Sequence, residues 1–198
     1  MSSTPTLRLL RGLGPVFRSG EAIAAGVSWR DLYASRDSGD IIELSRGLYQ
    51  TTDREIGHLD FVTVCARVPR GMICLTSALA YWDLTDEIPR AVHLAVPKGS
   101  HRPAIDHPPT TIHVFAADTF EVGRSEVTGQ AGERFWISDR ERTVVDAFRL
   151  RSMIGEDLAH AALRIYLSEH PRMSALASTA QRLRAWGPLS RALRVLQE

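Results

Sequence analysis

Between Val16 and Thr51 the apolar and polar positions change period twice. Ser19 to Ala25 places its apolar residues on one side of a short helix, and Gly26-Val27 breaks it, because glycine takes the positive φ that a tight helix-to-helix turn requires. Ser28, with Asp31 three residues on, approximates a capping box and opens a second helix from Trp29 to about Ser38, where Gly39 stops it. Ile41-Ile42-Glu43-Leu44 and Leu48-Tyr49-Gln50 read as two short strands joined by Ser45-Arg46-Gly47. Helix, tight turn, helix, hairpin is the order of a winged helix-turn-helix. The helix pair alone also fits a purely structural helical cap; the hairpin, with an arginine at its tip, favours the DNA-binding type.

Thr51-Thr52-Asp53 forms a short polar linker, and a boundary is expected near residue 53. A helical pattern then runs from Arg54 to Val68-Pro69, and Leu75 to Leu84 has the character of a buried helix. Ala91 to Val96 and Thr111 to Phe115 alternate as strands, and Glu133 to Ile137 reads as a third. Ser138 with Glu141 predicts a capping box opening a helix through Val144, Val145 and Phe148. Further helices follow, with breaks at Gly155, His170-Pro171 and Gly187-Pro188. The expected fold is α/β of the α+β type. A winged helix-turn-helix occupies residues 1–52, and a small mixed sheet with a helical C-terminal tail occupies 53–198.

With 198 residues, 44% of them hydrophobic and 24% charged, the chain can bury a core without disulfides or metals. Its longest uncharged run, Gly71 to Trp82, is too short to span a membrane, and Arg8 and Arg11 interrupt any signal-peptide pattern. Cys65 and Cys74 form no framework and are expected in the core; the cytoplasm is the expected compartment. Charge is uneven. Residues 1–52 carry net +1, residues 53–137 net −3 and residues 138–198 net +3. From Pro171 onward five arginines, Arg172, Arg182, Arg184, Arg191 and Arg194, face a single acid, Glu198. That basic stretch is either a solvated helix face or a surface for an acidic partner.

Enzyme signatures are sparse. There is no phosphate-binding glycine loop and no dinucleotide fingerprint. Gly99-Ser100 lacks the paired carboxylates with which nucleotidyl transfer holds its metal ions, since only Asp106 follows nearby. His101, Asp106 and His107 share a proline-rich loop without a third clear ligand type, so no metal or cofactor is expected. His93 and His113 are placed as neighbours on one sheet face, and Arg142 and Asp146 as an i,i+4 ion pair. In the winged-helix segment the periodicity turns Trp29, Arg30 and Tyr33 outward at the start of the second helix, where base edges are read. Arg46 at the hairpin tip would reach a backbone phosphate or the minor groove. Arg18 and Ser19 at the start of the preceding helix suit phosphate contacts, and Ser28 at the start of the second helix joins the DNA-binding candidates. Arg30 and Arg36 are matched by Asp31 and Asp37, which makes the second helix formally neutral.

Four segments taken in order resemble the AbiEi-type antitoxins. They are Val27 to Tyr33 with Gly39 to Tyr49; Leu75-Thr76-Ser77-Ala78-Leu79-Ala80; Val92 to Pro97 with Ile112 to Phe115; and Ile137 to Asp146, similar to the family's S-x-x-R-T-L-x-D run. The likeness covers about residues 16–165, and Ser35 and Arg36 stand where the family usually has apolar residues. It implies a cytoplasmic antitoxin that binds inverted repeats in its own promoter as a repressor. It also implies that residues 53–198 neutralise a nucleotidyltransferase-like toxin. The charge imbalance of the tail, not the resemblance, makes the arginines at 172, 182, 184, 191 and 194 the candidate contacts to an acidic toxin surface. A stand-alone winged-helix regulator, and a metal-dependent nuclease or nucleotidyltransferase, are the alternatives.

Overall fold

The computed structural model describes residues 4–196. They fall into two compact units, one of residues 4–69 with 127–135 and the other of residues 70–126 with 136–196.

The first unit begins with α1 (Thr4–Gly12), an element the hydrophobic pattern does not announce. Leu7 and Leu10 turn inward one helical step apart while Arg8 and Arg11 take the outer face, so the arginines that break a signal-peptide pattern are what make this helix amphipathic. A three-residue strand, β1 (Val16–Arg18), leads into α2 (Ser19–Ala24) and α3 (Trp29–Asp37), with Gly26 at φ 93° in the turn between them. Then come β2 (Ile41–Ser45) and β3 (Leu48–Thr51), in a sheet of order β1-β3-β2 with antiparallel pairing throughout. This is the element order of a winged helix-turn-helix. Leu10, Phe17, Ala22, Val27, Leu32, Ile41 and Tyr49 form its core. The helix predicted from Arg54 starts later, as α4 (Leu59–Arg67); Gly57, costly inside a helix, lies in the turn before it.

The second unit holds most of a five-stranded mixed sheet of order β6-β5-β4-β8-β7. Its strands are β4 (Met72–Ile73), β5 (Val92–Pro97), β6 (Thr110–Phe115), β7 (Arg124–Thr128) and β8 (Arg134–Ser138). β4 runs antiparallel to β5 and parallel to β8, and β5 parallel to β6. Between β4 and β5 lies α5 (Leu75–Tyr81). After β8 come α6 (Arg140–Arg149), α7 (Arg151–Ile154), α8 (Glu156–Ser168), α9 (Met173–Arg182) and α10 (Trp186–Val195). Their inward faces make a helical core that includes Leu79, Phe148, Leu163, Tyr166, Leu176 and Leu189. Two sequence expectations are corrected here. Asp139, not Ser138, caps α6, its carboxylate accepting the Arg142 N–H at 2.7 Å, while the Ser138 hydroxyl is turned to Thr143 at 2.8 Å. Gly187-Pro188 is no break but part of the first turn of α10, where proline is tolerated; the chain bends instead at Arg184, with φ 56°.

Among the described residues, no helix is long and apolar enough to cross a membrane.

Candidate nucleic-acid interface

Three elements of the first unit build the candidate surface. Helix α3 is started by Ser28, whose hydroxyl accepts the Asp31 N–H at 3.1 Å and donates to the Asp31 carboxylate at 2.7 Å. Leu32 is fully buried beneath the helix, which fixes its rotation and leaves Trp29 and Tyr33 about half exposed on its outer face, with Arg30 exposed beside them. The rings of Trp29 and Tyr33 stack with centroids 5.9 Å apart. The Arg36 guanidinium lies over the Tyr33 ring, 5.0 Å from its centroid.

Arg36 is held in turn by Asp37, at 2.9 and 3.1 Å, and by Glu43 of β2 at 3.6 Å. The hydrogen bond to Asp37 raises the guanidinium's pKa, so it stays charged at any working pH. Ser35, also at a position the family fills with apolar residues, is fully buried. Its hydroxyl donates to the Asp31 carbonyl at 2.9 Å, which lets a polar residue occupy that site.

The hairpin tip is a two-residue turn, Arg46-Gly47, with Gly47 at φ 72°. Two bonds fasten it. The Glu43 carboxylate accepts the Gly47 N–H at 3.0 Å, and the Gly47 carbonyl accepts the Ser19 N–H at 2.9 Å. A methyl group at position 47 would sit 3.2 Å from the Ser19 hydroxyl, so glycine serves both the turn's conformation and its contact with α2.

These bonds sort the sequence-level candidates. Trp29, Arg30 and Tyr33 share one helix face, and Arg46 stands exposed at the hairpin tip. Asp31 and Asp37 are occupied by Ser28 and Arg36, so the formal neutrality of α3 does not leave Arg30 paired. Neither Arg30 nor Arg46 has an ion-pair partner among the described residues. Ser28 is committed to its cap, and the Ser19 backbone N–H to the hairpin. Arg18 is engaged elsewhere: its guanidinium donates to the Ala66 carbonyl at the end of α4, and its N–H goes to Glu21 at 2.6 Å. No local sequence signal could have shown that, because the partner lies 48 residues away.

In the second unit the candidate arginines divide as well. Arg182, Arg184, Arg191 and Arg194 are exposed. Arg172 is turned to the protein itself. Its Nε donates to Glu141 at 2.9 Å, its Nη2 to the other carboxylate oxygen, and its backbone N–H to the Tyr166 hydroxyl at 2.9 Å. Tyr166 donates to Glu141 at 2.9 Å. Burial and the adjacent carboxylate push the Tyr166 pKa up to about 12. Burial alone would raise Glu141, but the bonds from Arg172 and Tyr166 bring it below the usual carboxylate range. The group ties α6, α8 and the start of α9 together.

Arg142 and Asp146 form the expected ion pair at 3.2 Å, and both are buried. His93 and His113 are neighbours with ring nitrogens 3.0 Å apart. Burial, with His93 beside it, lowers His113 to about 4. Among the described residues no three or more histidine, cysteine or acidic side chains converge as metal ligands would.

No curated protein matches the chain. Its fold is similar to that of a solved structure titled "Crystal structure of RV2827C protein from Mycobacterium tuberculosis", with a TM-score of 0.57 and 15% identity, covering 100% of this chain and 82% of that one. At that identity the likeness is one of fold. Residues 6–52, which hold all three elements of the surface above, match the family model described as "Transcriptional regulator, AbiEi antitoxin", the same family that the sequence motifs resemble.

Proposed function

We propose that the chain is a cytoplasmic repressor of its own promoter and the antitoxin of a nucleotidyltransferase-type toxin, acting without catalysis, metal or cofactor. Residues 1–52 carry the DNA-binding part. The observation that carries this reading is a pair of guanidiniums without an ion-pair partner among the described residues, Arg30 on α3 and Arg46 on the hairpin tip. Both lie within the stretch that matches a regulator family. A second helix in the major groove would bring Arg30, Trp29 and Tyr33 to base edges, and the hairpin would bring Arg46 to a neighbouring phosphate. Ser28 caps α3 and the Ser19 N–H fastens the hairpin tip, and Arg18 joins the surface only by leaving Ala66.

The test is binding to the DNA upstream of the gene, searched for inverted repeats, across a range of salt. Affinity falls linearly on a log–log plot, by about 0.9 per neutralised phosphate. Arg30→Ala relaxes sequence preference, whereas Arg46→Ala weakens all sites alike and reduces the slope by about one. Salt-insensitive binding, or no preference for the upstream region, overturns the reading.

Toxin neutralisation by residues 53–198 is supported by the resemblance and by the exposed Arg182, Arg184, Arg191 and Arg194. A toxin that holds metal ions with carboxylates presents an acidic mouth, and complementary charge speeds encounter and sets orientation. The stand-alone regulator is favoured by one observation, that the family match ends at residue 52. Growth rescue against the product of a neighbouring nucleotidyltransferase gene separates the two. Metal-stimulated nuclease or nucleotidyl-transfer turnover, lost on replacing Asp106 or His107, would instead establish an enzyme.

A further inference from the structure

The Trp29–Tyr33 pair is an apolar feature on a surface otherwise suited to a polyanion. Two large aromatic rings lie half exposed on one face of α3, next to Arg30. They are not loose. The rings stack at 5.9 Å, the Arg36 guanidinium lies over the Tyr33 ring at 5.0 Å, and Asp37 and Glu43 hold that guanidinium. The column Trp29–Tyr33–Arg36 is therefore set before any partner arrives, and binding it orders little. Phosphate recognition has no use for exposed indole and phenol faces. Base edges do: in the major groove the one apolar group is the C5 methyl of thymine, and apolar side chains read it by contact. Of the acids next to the column, Asp37 is paired with Arg36, while Asp31 is bonded only by the neutral Ser28 hydroxyl and has Arg30 as its neighbour in sequence.

We propose that the Trp29–Tyr33 pair reads thymine methyl groups, and that the sites bound by this chain carry thymine where α3 enters the groove. The inference rests on the DNA-binding reading above and specifies what that surface recognises. Arg36 and Glu43 act as positioning residues, holding the rings without touching DNA.

The test uses the full chain and the shortest upstream duplex that it protects from cleavage, with thymines replaced singly by deoxyuridine, which lacks only the methyl. Wild-type protein loses about fourfold in affinity per contacted methyl, the effect of uncovering one such group. Trp29→Ala binds the thymine duplex more weakly and is indifferent to the replacement, so the two losses do not add. Trp29→Gln, which keeps more of the side chain, serves if the alanine variant melts below wild type. Wild-type binding that ignores every deoxyuridine overturns the proposal while leaving the DNA reading standing. So does an equal deoxyuridine loss in wild type and variant, which places methyl readout elsewhere. A wild-type dimer that Trp29→Ala turns into a monomer assigns the rings to self-association and overturns it too. No preference for the upstream duplex removes the DNA reading, and this inference with it.

Discussion

Replacing Arg142 with methionine keeps an unbranched apolar stem and removes every donor. The guanidinium is 1% exposed, pairs with the fully buried Asp146 at 3.2 Å, and donates to the carbonyls of Phe120 and Val122, with a longer contact of 3.4 Å to the Thr119 carbonyl. It thus fixes the segment around the 3-10 turn Ala117–Thr119 to α6. Methionine strands two carbonyls at about 1–3 kcal/mol each and leaves Asp146 with a single cation. That cation, Arg149, stays bonded to Asp146 at 2.9 Å and offsets part of the loss. The expected cost is about 4 kcal/mol, within the roughly 3–5 kcal/mol seen when one partner of a buried pair is removed. With a denaturant slope of about 2 kcal/mol per molar urea, the unfolding midpoint of this unit falls by about 2 M. Urea titration followed by circular dichroism measures it. Asp146→Leu, alone and combined with Arg142→Met, completes a cycle in which the double variant is less damaged than the sum by about 1–3 kcal/mol. A single-variant cost below about 1 kcal/mol, or additive costs, would refute the account of this pair as an internal tie.

Gly47→Ala, at φ 72° and with its new methyl 3.2 Å from the Ser19 hydroxyl, lowers stability by about 1–2 kcal/mol in thermal melts; an unchanged melting temperature would show that the hairpin turn relaxes freely. His113 stays neutral to about 4 in the folded chain against an ordinary 6.5, so the unfolded chain binds the extra proton. Stability is therefore full above about pH 6.5, falls as pH drops and levels off near pH 4, and His113→Gln flattens that slope in melts at several pH values. On the proposed function, a 53–198 fragment is expected to show folded circular dichroism and to rescue cells from a cognate toxin without repressing the promoter; an unfolded fragment, or a folded one that does not rescue, refutes this division of labour. Arg191→Glu with Arg194→Glu weakens that rescue while leaving the circular dichroism of the fragment intact; full rescue by the folded variant would remove these arginines from the toxin surface.

What could be read from sequence was whatever a local period or cap encodes. Trp29, Arg30 and Tyr33 fall outward because Leu32 falls inward, and the short spacing from Ser28 to Asp31 already contains the cap. Arg142 and Asp146 were legible for the same reason, one helical turn apart. Strand β4 was not, since two residues buried on both faces show no alternation. Strand β7 was not either: it lies at the sheet edge and, apart from Val127, is polar, as edge strands often are. The cap of α6 was misplaced by one residue because Ser138 and Asp139 are both capable and only the backbone decides between them. Long-range commitments stayed hidden. Arg18 to Ala66, Arg36 to Glu43 and Arg172 to Glu141 each join separate elements, and each changes what its arginine is free to do.

Residues 127–135 group with the N-terminal unit, although the strands on either side of them continue in the second. Phe135, 1% exposed, packs against His58 and Phe61 at 5.9 and 5.6 Å, so α4 and this downstream hairpin complete one another. Genes exchange parts through single crossovers, and a crossover after residue 69 would separate these partners, stranding an aromatic ring on each side. A crossover just before Asp53 keeps α4 with its hairpin and leaves the core from Leu10 to Tyr49 whole, but parts Arg18 from Ala66 and Arg11 from Asp53. Helix α4 is thus a shared element of the N-terminal unit: whichever side of a cut keeps it, the other side loses a partner.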